Sequence, residues 1–268
     1  MNVTVQDLFE AGVHLGHQRR RWNPKSQKFV YGCLGGLSII DLEKTLGQLQ
    51  KASDFLEETA ANGQSIWFVG TKASAQEAIR ESARSVHLPF VANRWLGGCL
   101  TNFETVHRSL NKYRHYLRMQ EDGSLDAMLK KEASVIRRQM ARLFRSFEGL
   151  VEVTQLPSAL LVVDIHKESI AVAEARRLGI PVVALVDTNS NPELVSYPIP
   201  ANDDLAKSIQ LLLSCLMEAI ERGQALFEAK KRESRQLRTI PTQEVLVSDA
   251  EDAVKIEGAI DIQIEEEH

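Results

Sequence analysis

The feature that most restricts what this chain can fold into is a repeated switch between short apolar runs and amphipathic stretches. The runs 65–70, 159–164 and 182–187 are apolar with little alternation, the pattern of strands buried on both faces. Helical spacing follows each of them. It covers 74–85 and 169–178, then the series Leu205, Ile209, Leu212, Leu216 and Ile220, which opens behind the cap cluster Asn202-Asp203-Asp204. A shorter run, 88–91, adds a strand. Upstream, 42–61 reads as a helix stopped by Gly63, and 37–41 as a short strand pairing with 29–31 through the glycine-containing turn between them. The segment before it, 13–28, reads as irregular. Strand-helix alternation of this kind predicts an α/β fold with a doubly wound, mostly parallel sheet.

One insertion breaks the alternation, over 103–148. Phe103, Val106, Leu110, Tyr113 and Leu117 repeat at intervals of three and four, and so do Leu129, Ala133, Ile136, Met140, Leu143 and Phe147. A turn at Gly123 separates them. Two heptad helices joined by a short turn predict an antiparallel coiled-coil hairpin that projects from the sheet instead of joining its core. The expected organisation is an α/β domain over 1–102 and 149–225, the hairpin over 103–148, and a charged, disordered tail over 226–268.

Charge is distributed unevenly. The chain has a formal net charge of -4, but positions 240–268 hold nine acids and one base, so the rest is mildly basic. Arg19, Arg20, Arg21, Lys25 and Lys28 follow one another with no acid between them and with Trp22 inside the run. The hairpin carries ten bases against six acids, among them Arg108, Lys112, Arg137, Arg138 and Arg142. Such a body fits a polyanionic partner, with bases as phosphate contacts. In 94–98, Arg94 and Trp95 precede two glycines. Here a stacking surface for unpaired bases stands against a buried tryptophan with a turn into the hairpin. The acidic tail alternates at 259–264 and is expected to point away from RNA, either unpartnered or added to a neighbour's sheet edge.

Catalytic motifs are missing where the fold class would place them. The loop Val69-Gly70-Thr71-Lys72 has neither the G-x-G-x-x-G nor the G-x-x-x-x-G-K-[ST] spacing of a phosphate-binding loop, which leaves Lys72 for a phosphate contact. There is no G-x-S-x-G elbow. Three widely spaced cysteines, Cys33, Cys99 and Cys215, suit neither a disulfide framework nor a zinc site. A divalent cation held by His14, His17, Asp187, Asp203 and Asp204 is the one metal arrangement the sequence offers, against the simpler reading of caps and local hydrogen bonds. No membrane span or targeting segment is legible, so a cytoplasmic protein without a membrane partner is expected.

The blocks GVHLGHQRRRWNPK, IIDLEKTL, FVGTK, NRWLGGCLTNF, PSALLVVDIHKESIAVAEARRLGIPVVALVDTNSNPE and YPIPANDD occur in this order over roughly 5–225. In them the chain closely resembles the bacterial family of the second protein of the small ribosomal subunit. That resemblance implies a flavodoxin-like domain with an inserted coiled-coil hairpin and no enzymatic activity. It also implies assembly onto small-subunit rRNA at the head–body junction, where the family helps dock the mRNA-binding ribosomal protein one, and no homo-oligomer. The sequence departs from the family pattern at Leu15, Ala73, Asn191, Glu193 and Ala201. The competing reading is an α/β enzyme or small-ligand binder for a phosphorylated substrate.

Overall fold

A computed structural model describes residues 3–238. They fall into two units divided after Ala225, and the described part of the second is helical. The first unit opens with α1 (Val5–Glu10), closed by a Thr4–Asp7 capping box. Three short strands follow: β1 (Leu15–Gln18), β2 (Val30–Leu34) and β3 (Leu37–Ile40). They form an antiparallel sheet in the order β1-β3-β2. The segment read as irregular therefore contains a strand. β1 was hidden because only one of its residues, Leu15, is a large apolar one, and its partner, β3, is found only through the register Leu15↔Ile39.

Helix α2 (Leu42–Ala61) is capped by the Asp41 carboxylate, which accepts from the Glu43 and Lys44 backbone N–H groups. Beyond it lie β4 (Ile66–Val69), α3 (Gln76–Ser85), β5 (Phe90–Val91), α4 (Phe103–Glu121), α5 (Ser124–Ala127) and α6 (Lys130–Phe147). Then come β6 (Ala159–Val163), α7 (Ser169–Arg177), β7 (Val182–Val186), β8 (Tyr197–Pro200) and α8 (Ala206–Arg238). The main sheet is wholly parallel in the order β5-β4-β6-β7-β8, a flavodoxin-like arrangement. β8 holds two prolines, which only an edge strand tolerates, and that position explains why the segment reads in sequence as a mere lead-in to the next helix.

Every residue of β4, β6 and β7 is buried, and alternate side chains serve two layers. Ile66, Phe68, Leu161 and Val163 pack with α2, α3 and α8 on one face. Trp67, Val69, Leu160 and Val162 pack with α4 and α7 on the other.

The inserted segment consists of two long helices joined by α5, with Gly123 at φ +74 in the turn. Its root does not stand clear of the sheet. Val106, Leu110, Tyr113 and Phe147 belong to the same core as Trp67 and Val162, and only Tyr116, Leu125 and Met140 form a separate outer cluster. Leu129, expected in the seam, is 73% exposed. Extended backbone at Met128 shifts the register, and Leu125 fills the place instead. Helix α8 continues to Arg238, past position 226 where the sequence suggested a disordered tail; the acidic stretch 240–268 lies outside the described residues.

An acidic corner and a candidate nucleic-acid interface

The carboxyl ends of the parallel strands meet at one corner, where doubly wound sheets bind ligands. β4 leads to Lys72, β6 to Asp164 in a left-handed conformation (φ +66), β7 to Asp187, and β8 to Asn202, Asp203 and Asp204. Lys72 Nζ lies 2.5 Å from Asp203 Oδ1, 2.6 Å from Asp204 Oδ1 and 3.3 Å from Asp164 Oδ2. Burial opposes its charge, but the Asp203 and Asp204 carboxylates outweigh that cost and hold the ammonium above the usual lysine range. Lys72 is thus not free for a phosphate, as the sequence suggested; three carboxylates from distant parts of the chain have claimed it. Burial, with help from Asp164 and Asp187, pushes the Asp203 carboxyl up to about 7.

His17 reaches the same corner from β1. Its Nδ1 is 2.9 Å from Asp187 Oδ2 and its Nε2 is 3.5 Å from Asp204 Oδ2. The Asp187 contact raises the imidazole pKa despite partial burial. β1 is held in place by main-chain anchors: His17 N–H donates to Thr188 Oγ1 at 2.9 Å, and Asn202 Nδ2 donates to the Leu15 carbonyl. Gly16 permits this approach, since a Cβ there would sit 2.7 Å from Thr188 Cγ2 and 2.9 Å from the Ser38 carbonyl oxygen. Asn202, not Asp203 or Asp204, caps the turn into α8 by accepting from the Asp204 and Leu205 N–H groups.

Ligand atoms of His17, Asp187, Asp203 and Asp204 all lie within 4.8 Å of one another. Asp203 Oδ2 has no hydrogen-bond partner, and the short His17–Asp187 approach is too poorly aligned to complete one. Imidazole and carboxylate donors at this spacing fit a divalent cation. His14 does not join them: its ring stacks on Phe9, with centroids 4.3 Å apart.

The crevice beside β4 is closed by the protein itself. The Glu168 carboxylate accepts from Thr71 N–H at 2.9 Å and from Thr71 Oγ1, and Lys167 Nζ donates to the Thr71 carbonyl. A carboxylate thus occupies the loop N–H that a phosphate would need. Glu168 was absent from the sequence candidates because its partner lies 97 positions away.

A second buried carboxylate organises the loop after β5. Glu174 accepts from Trp95 Nε1 (3.2 Å), Gly98 N–H (2.8 Å), Leu100 N–H (2.9 Å), Thr101 N–H (3.1 Å) and Thr101 Oγ1 (3.2 Å). Burial works against its charge, but these donors prevail and depress the pKa. Trp95 is 8% exposed, so it is core and not a stacking surface for bases. Arg94, its neighbour, is exposed.

The N-terminal bases behave differently. Arg19, Arg20 and Arg21 sit exposed on one 3-10 turn, and none is within ion-pair distance of an acid among the described residues. The following segment is sewn to the loop after β7: Asn23 N–H donates to the Thr188 carbonyl (2.8 Å), Ser26 Oγ to the Ser190 carbonyl (2.6 Å), and Lys25 pairs with Glu193 at 2.5 Å. Lys28 lies over the Phe29 ring, and Trp22 is half-buried. On the hairpin, Arg108 pairs with Glu104, Arg137 with Asp126, and Lys112 covers Tyr116, while Arg138 and Arg142 are exposed.

The chain is a parallel α/β scaffold whose strand-end crevice is occupied by its own ion pairs and hydrogen bonds. Similarity to known proteins gives its class. The family model described as ribosomal protein S2 matches residues 8–223. The small ribosomal subunit protein uS2 of Opitutus terrae is 49% identical over 231 residues, 86% of this chain and 76% of that protein. Those of Mycolicibacterium vanbaalenii and Campylobacter concisus are each 47% identical, over 82% and 84% of this chain and 81% and 86% of theirs. The chain belongs to the ribosomal protein S2 family. It is a non-enzymatic structural component of the small ribosomal subunit. Among the described residues no helix is long and apolar enough to cross a membrane.

Proposed function

We propose that this chain binds small-subunit rRNA at the head–body junction through the exposed Arg19–Arg20–Arg21 turn, with Arg94 and the exposed hairpin bases Arg138 and Arg142 as further phosphate contacts. It there offers a docking face to ribosomal protein one. The observation that carries the RNA reading is the arginine turn: three exposed guanidinium groups outside ion-pair distance of any acid among the described residues, on a segment fixed to the sheet by the 188–193 loop. Each neutralised duplex phosphate contributes roughly -0.9 to the slope of log affinity against log salt. Changing all three arginines to Ala should weaken binding to small-subunit rRNA and flatten that slope by about 2–3. An unchanged slope in a folded variant would refute the assignment. The junction and the docking of ribosomal protein one rest on the family resemblance and are tested by subunit reconstitution with and without this chain.

A second reading concerns the acidic corner. The unpartnered oxygen of buried Asp203 and the misaligned His17–Asp187 pair favour a divalent cation there, set beside Lys72. Elemental analysis of natively purified protein should find about one equivalent, lost in Asp187→Asn. A background-level result removes the cation.

A further inference from the structure

A groove of about 490 Å³ runs between α3 and α8, on the sheet face opposite the hairpin root. Its floor is apolar, formed by buried Ala78 and Met217. Its walls are short, with Ser82 on α3 and Ser214 on α8, so another backbone can approach closely. Its rim carries Glu81 from one helix and Glu218 and Glu221 from the other, all exposed. None of these carboxylates is within ion-pair distance of a base among the described residues, although Glu77 on α3 pairs with Arg80 and Arg222 on α8 pairs with Glu57.

Charge and spacing narrow what fits. Three unpaired carboxylates repel phosphate, so this face is unsuited to RNA. They are also too dispersed for one ion: among the described residues, the acidic corner alone brings such groups within 4.8 Å of one another. Carboxylates along both rims of an apolar trough match a helix with an apolar stripe flanked by positive charges. The stretch from Gln210 to Glu221 gives the trough roughly 16 Å, about three helical turns.

We propose that the α3/α8 groove is a docking site for a lysine- or arginine-bearing amphipathic helix of another protein of the small subunit. The proposal rests on the ribosomal role and is independent of the RNA contacts assigned above. The test places a photo-crosslinker on Ser214→Cys, in a Cys33→Ser background, within purified small subunits; Lys51→Cys on α2 serves as the control. The expected result is a single protein adduct at Ser214→Cys, mapped by mass spectrometry to a basic segment and absent from the control. Its yield should fall at least tenfold in Glu81→Lys/Glu218→Lys, and in the milder Gln pair if the Lys pair enters subunits poorly. An rRNA adduct, an adduct to a second copy of this chain, no adduct, or a yield indifferent to both charge changes would overturn the proposal. Co-sedimentation of the wild-type chain with subunits tests the ribosomal placement separately.

Discussion

Glu174 shows how much of this site hangs on single residues. Its two oxygens gather five donors from the 95–101 loop, which follows Arg94. Glu174→Ala leaves those buried donors unpaired and should cost about 3 kcal/mol. Because the folded carboxyl has a depressed pKa, its contribution is fully present above the unfolded value of about 4.3 and is lost as pH falls through the folded value. The gap in melting temperature between wild type and Glu174→Gln should therefore be widest near neutrality and narrow below about pH 4. A gap constant with pH would show that Glu174 acts by packing alone. Gly16→Ala makes a sharper steric test: its methyl meets Thr188 and the Ser38 carbonyl, so β1 should detach and take His17 out of the corner. Loss of the His17 titration shift by NMR would report it, and an unperturbed His17 would contradict it. Residue roles of this sort were the least legible part of the sequence. For Trp95 a stacking surface and a buried ring both stayed open, because the carboxylate that holds the tryptophan is 79 positions away. Lys72 looked free for the same reason, since Asp203 is 131 positions distant.

Elements were far more legible than residue roles. The limits of α2, β6 and β7 follow from local apolar spacing and caps, and the structure places them within a residue or so of that reading. What failed at this scale needed a partner to be seen: β1 and β8 are short edge strands whose identity lies in their neighbours. The hairpin shows the boundary well. Its three-four spacing announced two packed helices, but spacing cannot say which end of a seam a sheet will cover. The structure divides it, with Val106 and Leu110 in the sheet's second core and Ile136 beside the small outer cluster. Paired substitutions should separate the halves. Ile136→Asp should fray the outer half, raising amide exchange around 116–140 while the sheet stays protected. Leu110→Asp places a charge in the common core and should destabilise the whole unit by about 3 kcal/mol or more. If Ile136→Asp instead caused one cooperative loss of all structure, the outer cluster would be part of the main folding unit.

For the molecule as a whole, electrostatics sets how its parts can be arranged around a polyanion. At the strand ends the positive side chains are surrounded by acids: Lys72 lies among three carboxylates and His17 against Asp187 and Asp204, so no positive charge is left over there. Arg19, Arg20 and Arg21 lie outside ion-pair distance of any acid among the described residues, and with exposed Arg94, Arg138 and Arg142 they leave positive charge for RNA. Against this, positions 240–268 carry nine acids and one base, and without them the chain moves from -4 to +4. Such a segment is repelled by phosphate, and at low ionic strength its repulsion extends to the whole chain, because screening lengths reach about 30 Å at 0.01 M. Deleting 240–268 should therefore leave rRNA affinity unchanged at physiological salt, where the screening length is about 8 Å, and raise it several-fold at low salt. The slope of log affinity against log salt should steepen, because the arginine contacts remain while a repulsive term is removed. Filter binding of both forms to small-subunit rRNA across a salt series decides the matter. A marked loss of affinity at every salt concentration would mean that the acidic segment, against its charge, forms part of the RNA-binding surface.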